Sequence, residues 1–379
     1  MLYILPDCFP PRAMELLSPL TTADEVAPLL DAGADAFYCG LITKKWEDTY
    51  STICSSNRRE CGEPNFRSFD QIRKAVTTAH DRGARVYMAA NAHYYDEDQY
   101  PVVLDELRTA VDVGVDALII ADIGLLLLLR DEGLSVDLHV STGASVINAT
   151  SAAFFHDLGA SRVILDRHLT VEEIRRIVKG SEGMGVEVFI LNGRCRNVEG
   201  YCTFQHGLHE IMNPVHPLVG KAFMAVKHND RVVSLAKRLP KRVLEALIDE
   251  SVSMEWLEPC ELRHTVTIEG DVDEEQQDNV QERMKHFVKR KTQMECGACA
   301  IHDLATMGLE SIKIIGRAFP TSRKLGDVRF IRHLLDYMAT EKPSREEFIR
   351  HTRAEHKQRF GVDCELGYCY YPSVMEVDA

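Results

Sequence analysis

Short apolar runs alternate along this chain with amphipathic stretches, and a glycine stands at most boundaries between the two. Residues 112–120 show the pattern: the end of a helical stretch, a glycine, and then a strand-like apolar run. Glycine suits this boundary because it adopts the left-handed conformation that ends a helix without a Cβ clash. The pattern predicts seven helix–strand units, with the terminating glycines Gly33, Gly83, Gly114, Gly133, Gly159, Gly185 and Gly308.

A further strand is predicted before these units, at residues 14–19, which makes eight parallel strands in all. Eight parallel strands with helices between them are the count of a TIM-type (β/α)8 barrel, a fold of the α/β class. An open doubly wound sheet is the alternative fold. The sequence favours the barrel because no Gly-x-Gly-x-x-Gly motif follows the first strand.

The chain between the seventh and eighth strands is too long for a simple barrel helix. Strand-like runs at residues 221–228 and 265–269 flank a helical run at residues 243–249, which predicts an α+β insertion. The predicted organisation therefore has four parts. They are residues 1–202 with the first seven strands, an inserted α+β subdomain at 203–294, barrel closure by the last helix and strand at 295–340, and a C-terminal part at 341–379 with a charged helix (345–360) and a Cys-containing tail.

Composition is that of an ordinary globular chain with ample core, 45% hydrophobic and 27% charged over 379 residues. The N-terminus lacks the basic and apolar regions of a secretory signal, and no apolar run is long enough to span a membrane. We therefore expect a cytoplasmic location. The eleven cysteines, an odd number, are then expected to be thiols and metal ligands rather than disulfides.

Two cysteine pairs suggest a metal centre. Cys195 and Cys202 share a short loop after the predicted strand at 186–191, and Cys296 and Cys299 stand in Cys-Gly-Ala-Cys at a predicted helix N-terminus, where thiolates are favoured. Together they offer four thiolates, which suit either zinc or an iron–sulfur cluster. The alternative is that these cysteines are reduced and pack as small apolar side chains. The role of a third pair, Cys364 and Cys369, stays open.

Polar side chains gather where the predicted strands end. Chemistry in this kind of barrel lies at the carboxyl ends of the strands, so these positions predict a polar pocket. Arg317 suits a carboxylate or phosphate group, and its alternative role is an ion pair with Asp166 or Glu15. The predicted pocket residues are Asn91, His93, Ser141, Asp166, Arg167, His168 and Arg317.

Several segments resemble the collagenase-like peptidase family U32, in order along residues 14–330. They are residues 15–19, 31–40, 140–148, 158–165, 193–195, 200–202, 299–304 and 311–317. The resemblance implies a TIM-type barrel and an oxygen-sensitive [4Fe-4S] cluster. It also implies kinship with branches that hydroxylate ubiquinone without oxygen, or hydroxylate RNA bases.

The resemblance also assigns cluster ligands. Cys195, Cys202 and Cys299 fall at positions where the family places them. The family's further cysteine soon after the Cys202 position is absent, so we expect Cys296 as the fourth ligand, with Cys260 as the alternative.

Three classes of function follow. The first is an oxygen-independent hydroxylase of a small aromatic or quinone-like molecule or of an RNA base, and the resemblance also allows a homologous protein partner. The second is a peptidase, although no His-Glu-x-x-His or Gly-x-Ser-x-Gly motif occurs, and only Cys39 with His93 or His139 offers a thiol–imidazole pair. The third is a structural zinc or partner-binding protein.

The net charge of −14 bears on the substrate, because RNA binding needs a basic surface. It favours the small molecule, unless the basic residues at 237–242 and 289–291 gather on one face.

Overall fold

Eight parallel strands form a closed barrel in chain order, with β1 pairing with both β2 and β8. The prediction of a TIM-type (β/α)8 barrel is therefore confirmed. The strands are β1 (Glu15–Pro19), β2 (Ala36–Gly40), β3 (Arg85–Ala90), β4 (Ala117–Ile120), β5 (Asp137–Val140), β6 (Arg162–Ile164), β7 (Gly185–Leu191) and β8 (Ser311–Ile314). The computed structural model describes residues 14–50, 56–59, 64–193, 195, 199–200, 295–361, 363–364 and 369–374.

Helices alternate with the strands and cover the outside of the barrel, so both faces of most strands are buried. Several helices begin at a side-chain cap: the Asp122 carboxylate accepts a hydrogen bond from Leu125 N (2.6 Å), and Thr170 accepts one from Glu173 N (3.2 Å). The helices are α1 (Val26–Asp31), α2 (Lys44–Tyr50), α3 (Phe69–His80), α4 (Tyr100–Asp112), α5 (Ile123–Glu132), α6 (Ala149–Asp157), α7 (Val171–Gly180), α8 (Ile301–Thr306), α9 (Thr321–Glu341) and α10 (Arg345–Phe360). Within the described ranges, none of them is long and apolar enough to cross a bilayer.

The glycine with positive φ between α7 and β7 is Gly183, not the predicted Gly185. Gly183 takes the positive φ of 80°, whereas Gly185 is the first residue of β7. The backbone turns between Ser181 and Met184, whose N–H donates to the Ser181 carbonyl at 3.0 Å. Such a turn places its positive φ at the third residue, which is Gly183. The other six predicted glycines all have positive φ.

The amino-terminal half of the barrel interior holds a network of paired charges. Arg162 contacts Glu15 at 2.8 Å, Glu187 at 3.1 Å and Glu310 at 2.6 Å. Lys313 contacts the other oxygen of Glu187 at 3.0 Å. These charges satisfy one another, as buried charges must, and form the floor beneath the carboxyl end of the barrel.

The C-terminal tail returns to the end of β7. α10 covers the stretch where a charged helix is predicted, and Tyr370 N then donates to the Cys296 carbonyl at 3.0 Å. The Tyr371 hydroxyl donates to the Phe189 carbonyl at 2.9 Å, which ties the tail to β7. The predicted α+β insertion at 203–294 lies outside the described residues and stays a prediction.

Candidate functional site

A cavity of about 100 Å³ lies at the carboxyl end of the barrel. Apolar and aromatic side chains form one part of its wall, and polar and charged side chains, most of them from the loops after the strands, form the rest. The lining residues are Tyr38, Asn57, Arg58, Arg59, Ala89, Asn91, Ile119, Ser141, Thr142, Ile164, Arg167, Phe189, Glu199, Lys313, Ile315 and Arg317.

The charge of this wall is opposite to that of the whole chain. Among the described residues, five cationic side chains line the cavity against a single carboxylate, that of Glu199. Two of the cations are matched by buried carboxylates: Lys313 by Glu187 at 3.0 Å, and Arg167 by Glu199. Arg58, Arg59 and Arg317 also line the cavity, so cationic side chains outnumber carboxylates among its described lining residues in a chain of net charge −14.

Arg317 is a buried guanidinium held by neutral oxygens. Its Nη2 donates to the Asn57 carbonyl at 3.3 Å and to Asn57 Oδ1 at 3.2 Å, and its Nη1 donates to Asn65 Oδ1 at 3.4 Å. No carboxylate contacts it among the residues that the structure describes. Burial, and then repulsion from Arg59, lower the pKa of Arg317 to about 10, so it remains charged at neutral pH. An anion bound here would supply the missing counter-charge.

Neighbouring residues make room for this guanidinium. Gly40 ends β2, and a Cβ at Gly40 would collide with the Arg317 Nη1 atom and the Asn65 amide oxygen. The ion pair considered for Arg317 from the sequence does not form. Glu15 pairs with Arg85 and Arg162 at the other end of the barrel.

Arg167 binds the loop that follows β7. Its guanidinium donates to both oxygens of Glu199 and to the Gly193 carbonyl, and it lies 4.7 Å from the centre of the Phe189 ring. Burial opposes ionisation of Glu199, but Arg167 and a hydrogen bond from Thr142 outweigh it, so the Glu199 pKa lies below its usual range. This ion pair fixes the segment after β7 against the barrel mouth.

Asn91 and Ser141 offer neutral polar contacts in the same cavity. Asn91 Nδ2 donates to Ser141 Oγ at 3.1 Å. The Asn91 Oδ1 atom is buried and has no hydrogen-bond partner in the described part of the chain. A buried acceptor of this kind is costly unless a ligand or water donates to it, so it is a candidate contact for a substrate N–H or O–H group.

The seven predicted pocket residues therefore divide into two groups. Asn91, Ser141, Arg167 and Arg317 line the cavity, whereas His93, Asp166 and His168 do not. His93 Nδ1 lies 3.2 Å from the Gly143 carbonyl. The Asp166 carboxylate accepts from the backbone N–H groups of His168 (2.7 Å) and Glu199 (2.9 Å), so it orders the loops around the cavity.

Sequence reasoning missed the basic residues of the loop between α2 and α3. Asn57, Arg58 and Arg59 belong to this loop, which has no periodicity that would place its side chains. Arg58 adopts a φ of 58°, which is uncommon for a residue other than glycine. The one available signal was the Asn-Arg-Arg run itself, in the long connection between β2 and α3 at the carboxyl end of the barrel.

Cys39 does not form the thiol–imidazole pair of a cysteine peptidase. Its side chain is fully buried, and its Sγ lies 3.7 Å from the Tyr87 carbonyl oxygen. Burial raises the Cys39 pKa to about 12, so the reactive thiolate is absent at neutral pH. His139 instead packs edge-on against the Tyr87 ring, at 4.8 Å between ring centres.

The cysteines predicted as metal ligands are only partly described. Cys296 and Cys299 are both buried, and the segment carrying them is bonded to the end of β7, where Gly297 N donates to the Ile190 carbonyl at 2.8 Å. Cys195 lies in the loop after β7, whereas Cys202 and Cys260 fall outside the described residues. Convergence of Cys195 and Cys202 with the other pair therefore stays a prediction.

The thiols beside Cys296 and Cys299 are those of the tail. Cys369 forms an isolated parallel β-bridge with Cys296. Cys364 and Cys369 both act electrostatically on Cys296 and on Cys299. A group of cysteine thiols of this kind fits an iron–sulfur cluster or zinc by its donor chemistry.

Comparison with known proteins identifies the family. The sequence model of peptidase family U32 matches residues 21–213, just over half of the chain. The chain belongs to peptidase family U32. It is similar to proteins that are named for different functions.

Three relatives show this range. The tRNA hydroxylation protein P of Escherichia coli is 29% identical over 188 residues, which cover 50% of this chain and 38% of that protein. The 23S rRNA 5-hydroxycytidine synthase of Escherichia coli is 28% identical over 203 residues, 51% of this chain and 26% of that protein. A protein of Porphyromonas gingivalis named collagenase is 26% identical over 210 residues, 52% of this chain and 45% of that protein. The chain thus matches less than half the length of each of these family U32 relatives.

Proposed function

We propose that this family U32 chain is an enzyme that modifies a base of RNA, by hydroxylation without molecular oxygen and with an iron–sulfur cluster as cofactor. The observation that carries the proposal is the buried Arg317 guanidinium at the barrel mouth, which no carboxylate contacts among the described residues. Because Arg317 is held by neutral oxygens, an anionic ligand would supply the counter-charge that its surroundings lack.

The cavity suits a nucleotide better than a quinone. A quinone-like substrate calls for a largely apolar pocket with few polar groups. Here a phosphate would approach Arg58, Arg59 and Arg317. The net charge of the whole chain favoured a small-molecule substrate over RNA, but these cavity residues favour RNA. A base would stack on the side of the wall that carries Tyr38 and Phe189. It would donate a hydrogen bond to the Asn91 amide oxygen.

The names of two relatives also support modification of an RNA base. Two of the three relatives described above carry names for RNA hydroxylation, one on tRNA and one on rRNA. The name collagenase supports the peptidase alternative. The buried Cys39, with a pKa raised to about 12, argues against that alternative as far as this thiol is concerned.

The proposed cofactor is supported by the cysteines and by the family resemblance. A bound cluster would supply electron transfer or activation of the substrate at an iron without a protein ligand. Cys195, Cys202, Cys296 and Cys299 are the ligands that the sequence predicts, with Cys260 as the alternative to Cys296, and zinc is the alternative metal. The protein's own contribution at the cavity is to bind the nucleotide, orient its base through Asn91 and neutralise its phosphate through Arg317.

RNA binding provides the direct test. The full chain, purified without oxygen, is titrated with bulk tRNA at several salt concentrations. We expect the binding constant to fall steeply with salt, because phosphate contacts release counterions. Gelatin is assayed in parallel. Gelatin hydrolysis without salt-dependent RNA binding would contradict the proposal and favour the peptidase.

A further inference from the structure

Two histidines and a glutamate face one another across α9 and α10. His333 lies on α9, whereas His351 and Glu355 lie four residues apart on α10 and therefore share one face of that helix. The Nε2 atoms of the two histidines are 3.3 Å apart, and His333 Nε2 lies 3.9 Å from Glu355 Oε2. Within the described ranges, these are the three His, Cys, Asp or Glu side chains whose ligand atoms all lie within 4.8 Å of one another.

Packing between the two helices orients the imidazoles. The Tyr337 ring, one turn after His333 on α9, stacks on the His351 ring with 3.9 Å between ring centres and 21° between ring planes. Tyr337 also stacks on Phe348, which is fully buried. The two imidazole rings are 5.4 Å apart between centres. The His351 ring is thus held in place with its Nε2 atom directed at His333, so little ordering is needed when an ion binds.

The distance between the two nitrogens fits coordination of one ion. Zn–N bonds of about 2.0–2.1 Å in a tetrahedron separate two ligand nitrogens by about 3.4 Å. The observed separation of the His333 and His351 Nε2 atoms is 3.3 Å. A small rotation of the Glu355 side chain would bring its oxygen to the same ion. The alternative is a hydrogen bond in which one imidazole Nε2 donates to the other.

The charge and exposure of the group suit a cation from solvent. In the part of the chain that the structure describes, no lysine or arginine pairs with the Glu355 carboxylate. The side chain of His333 is 52% exposed and that of Glu355 is 31% exposed, so a hydrated ion can reach both. Two imidazoles and a carboxylate are typical ligands of zinc and neighbouring transition metals, whereas calcium and magnesium prefer oxygen ligands alone.

We propose that His333, His351 and Glu355 bind one divalent transition-metal ion, zinc or a neighbour of zinc, through two imidazole nitrogens and a carboxylate oxygen. Three protein ligands leave a fourth position open to water. The ion would join α9 to α10, which leads into the tail whose Tyr371 bonds to β7. The two helices carry neither the residues that line the cavity nor the predicted cysteine ligands, so this site is separate from both.

Zinc titration of four full-length proteins by calorimetry tests the site. They are the wild type, His333→Ala, His351→Ala and the control His80→Ala, which removes a helical histidine whose Nε2 lies 3.0 Å from the Asp116 carboxylate. Any zinc bound by cysteines is common to all four. We expect zinc binding at one site per chain to weaken at least about tenfold in His333→Ala and His351→Ala, because even loss of an outer-shell partner costs about 10- to 100-fold. Unchanged zinc binding in these two variants, or an equal loss in His80→Ala, would overturn the proposal.

Chemical modification of the wild type keeps the test independent of folding in the variants. Diethyl pyrocarbonate, which modifies imidazole nitrogens, is added with and without zinc chloride, and the modified peptides are quantified by mass spectrometry. We expect zinc to slow modification of His333 at least about fivefold, because a coordinated nitrogen cannot react, and to leave His80 unchanged. Equal modification of His333 with and without zinc would overturn the proposal. Neither readout involves RNA, so failure of this site and failure of the proposed function are distinguishable.

Discussion

Substitution of Arg317 separates a ligand-binding role from a structural one. In Arg317→Met the side chain keeps much of its length and loses its charge, and in Arg317→Lys it keeps the charge but loses the planar fork. The free energy of unfolding and the affinity for RNA are measured for both variants. Arg175→Met, on the exposed face of α7, is the matched control.

The surroundings of Arg317 determine how far Arg317→Met should change the free energy of unfolding. Burial lowers the Arg317 pKa to about 10, which corresponds to roughly 3 kcal/mol against the charged form in the folded state. The three hydrogen bonds to Asn57 and Asn65 return about 1 kcal/mol each, so the two effects nearly cancel. We expect Arg317→Met to change the free energy of unfolding by less than about 1.5 kcal/mol. Loss of a partner from a buried ion pair would instead cost about 3–5 kcal/mol.

The effect on binding should be larger than the effect on stability. A charge-assisted contact between a buried guanidinium and a phosphate contributes about 1.5–3 kcal/mol, so Arg317→Met should weaken binding of a nucleoside monophosphate about 10- to 150-fold. Arg317→Lys should lie between Met and wild type. Isothermal titration calorimetry with cytidine monophosphate measures both, next to chemical denaturation. Destabilisation by more than 3 kcal/mol with unchanged nucleotide affinity would refute the reasoning.

Three further predictions concern other parts of the molecule. Gly40→Ala should reproduce the binding loss of Arg317→Met, because its Cβ displaces the guanidinium, whereas Gly133→Ala, where a Cβ meets nothing within 4 Å, should bind normally. Burial, and next Arg162, hold the His139 pKa well below its usual value, so the unfolded chain gains a proton below about pH 6.5 while the folded chain does not. Wild-type stability should therefore fall by up to about 1.4 kcal/mol per pH unit more than that of His139→Phe between pH 6 and 5, and parallel curves would contradict this. Asn91→Leu should weaken nucleoside binding more than it weakens inorganic phosphate binding, as measured by calorimetry.

The barrel could be predicted because its signal is local and repeated. A glycine that ends each helix, followed by a short buried strand, marks the units without any knowledge of long-range contacts. The one error, Gly185 for Gly183, arose where two glycines lie two residues apart and the turn geometry decides between them. The same regularity also placed Asn91, Ser141, Arg167 and Arg317 at the barrel mouth.

The charge of the cavity and the tail contacts could not be predicted in this way. Arg58 and Arg59 reach the cavity on an aperiodic loop, and nothing in their sequence neighbourhood shows that Arg317 lacks a carboxylate. Cys364 and Cys369 follow Cys299 by more than sixty residues, and their return to β7 depends on how α9 and α10 pack. Contacts that depend on tertiary packing leave no spacing rule in a single sequence.

Nucleoside analysis of cells that lack this chain tests RNA-base modification most directly. A deletion strain is grown without oxygen and complemented with the wild type, with Arg317→Met or with the exposed control Arg175→Met. Its tRNA and rRNA nucleosides and its quinones are then profiled by mass spectrometry. We predict that one hydroxylated nucleoside disappears in the deletion strain, returns with the wild type and with Arg175→Met, and stays low with Arg317→Met. An unchanged nucleoside profile together with an accumulated quinone precursor would contradict the assignment to RNA.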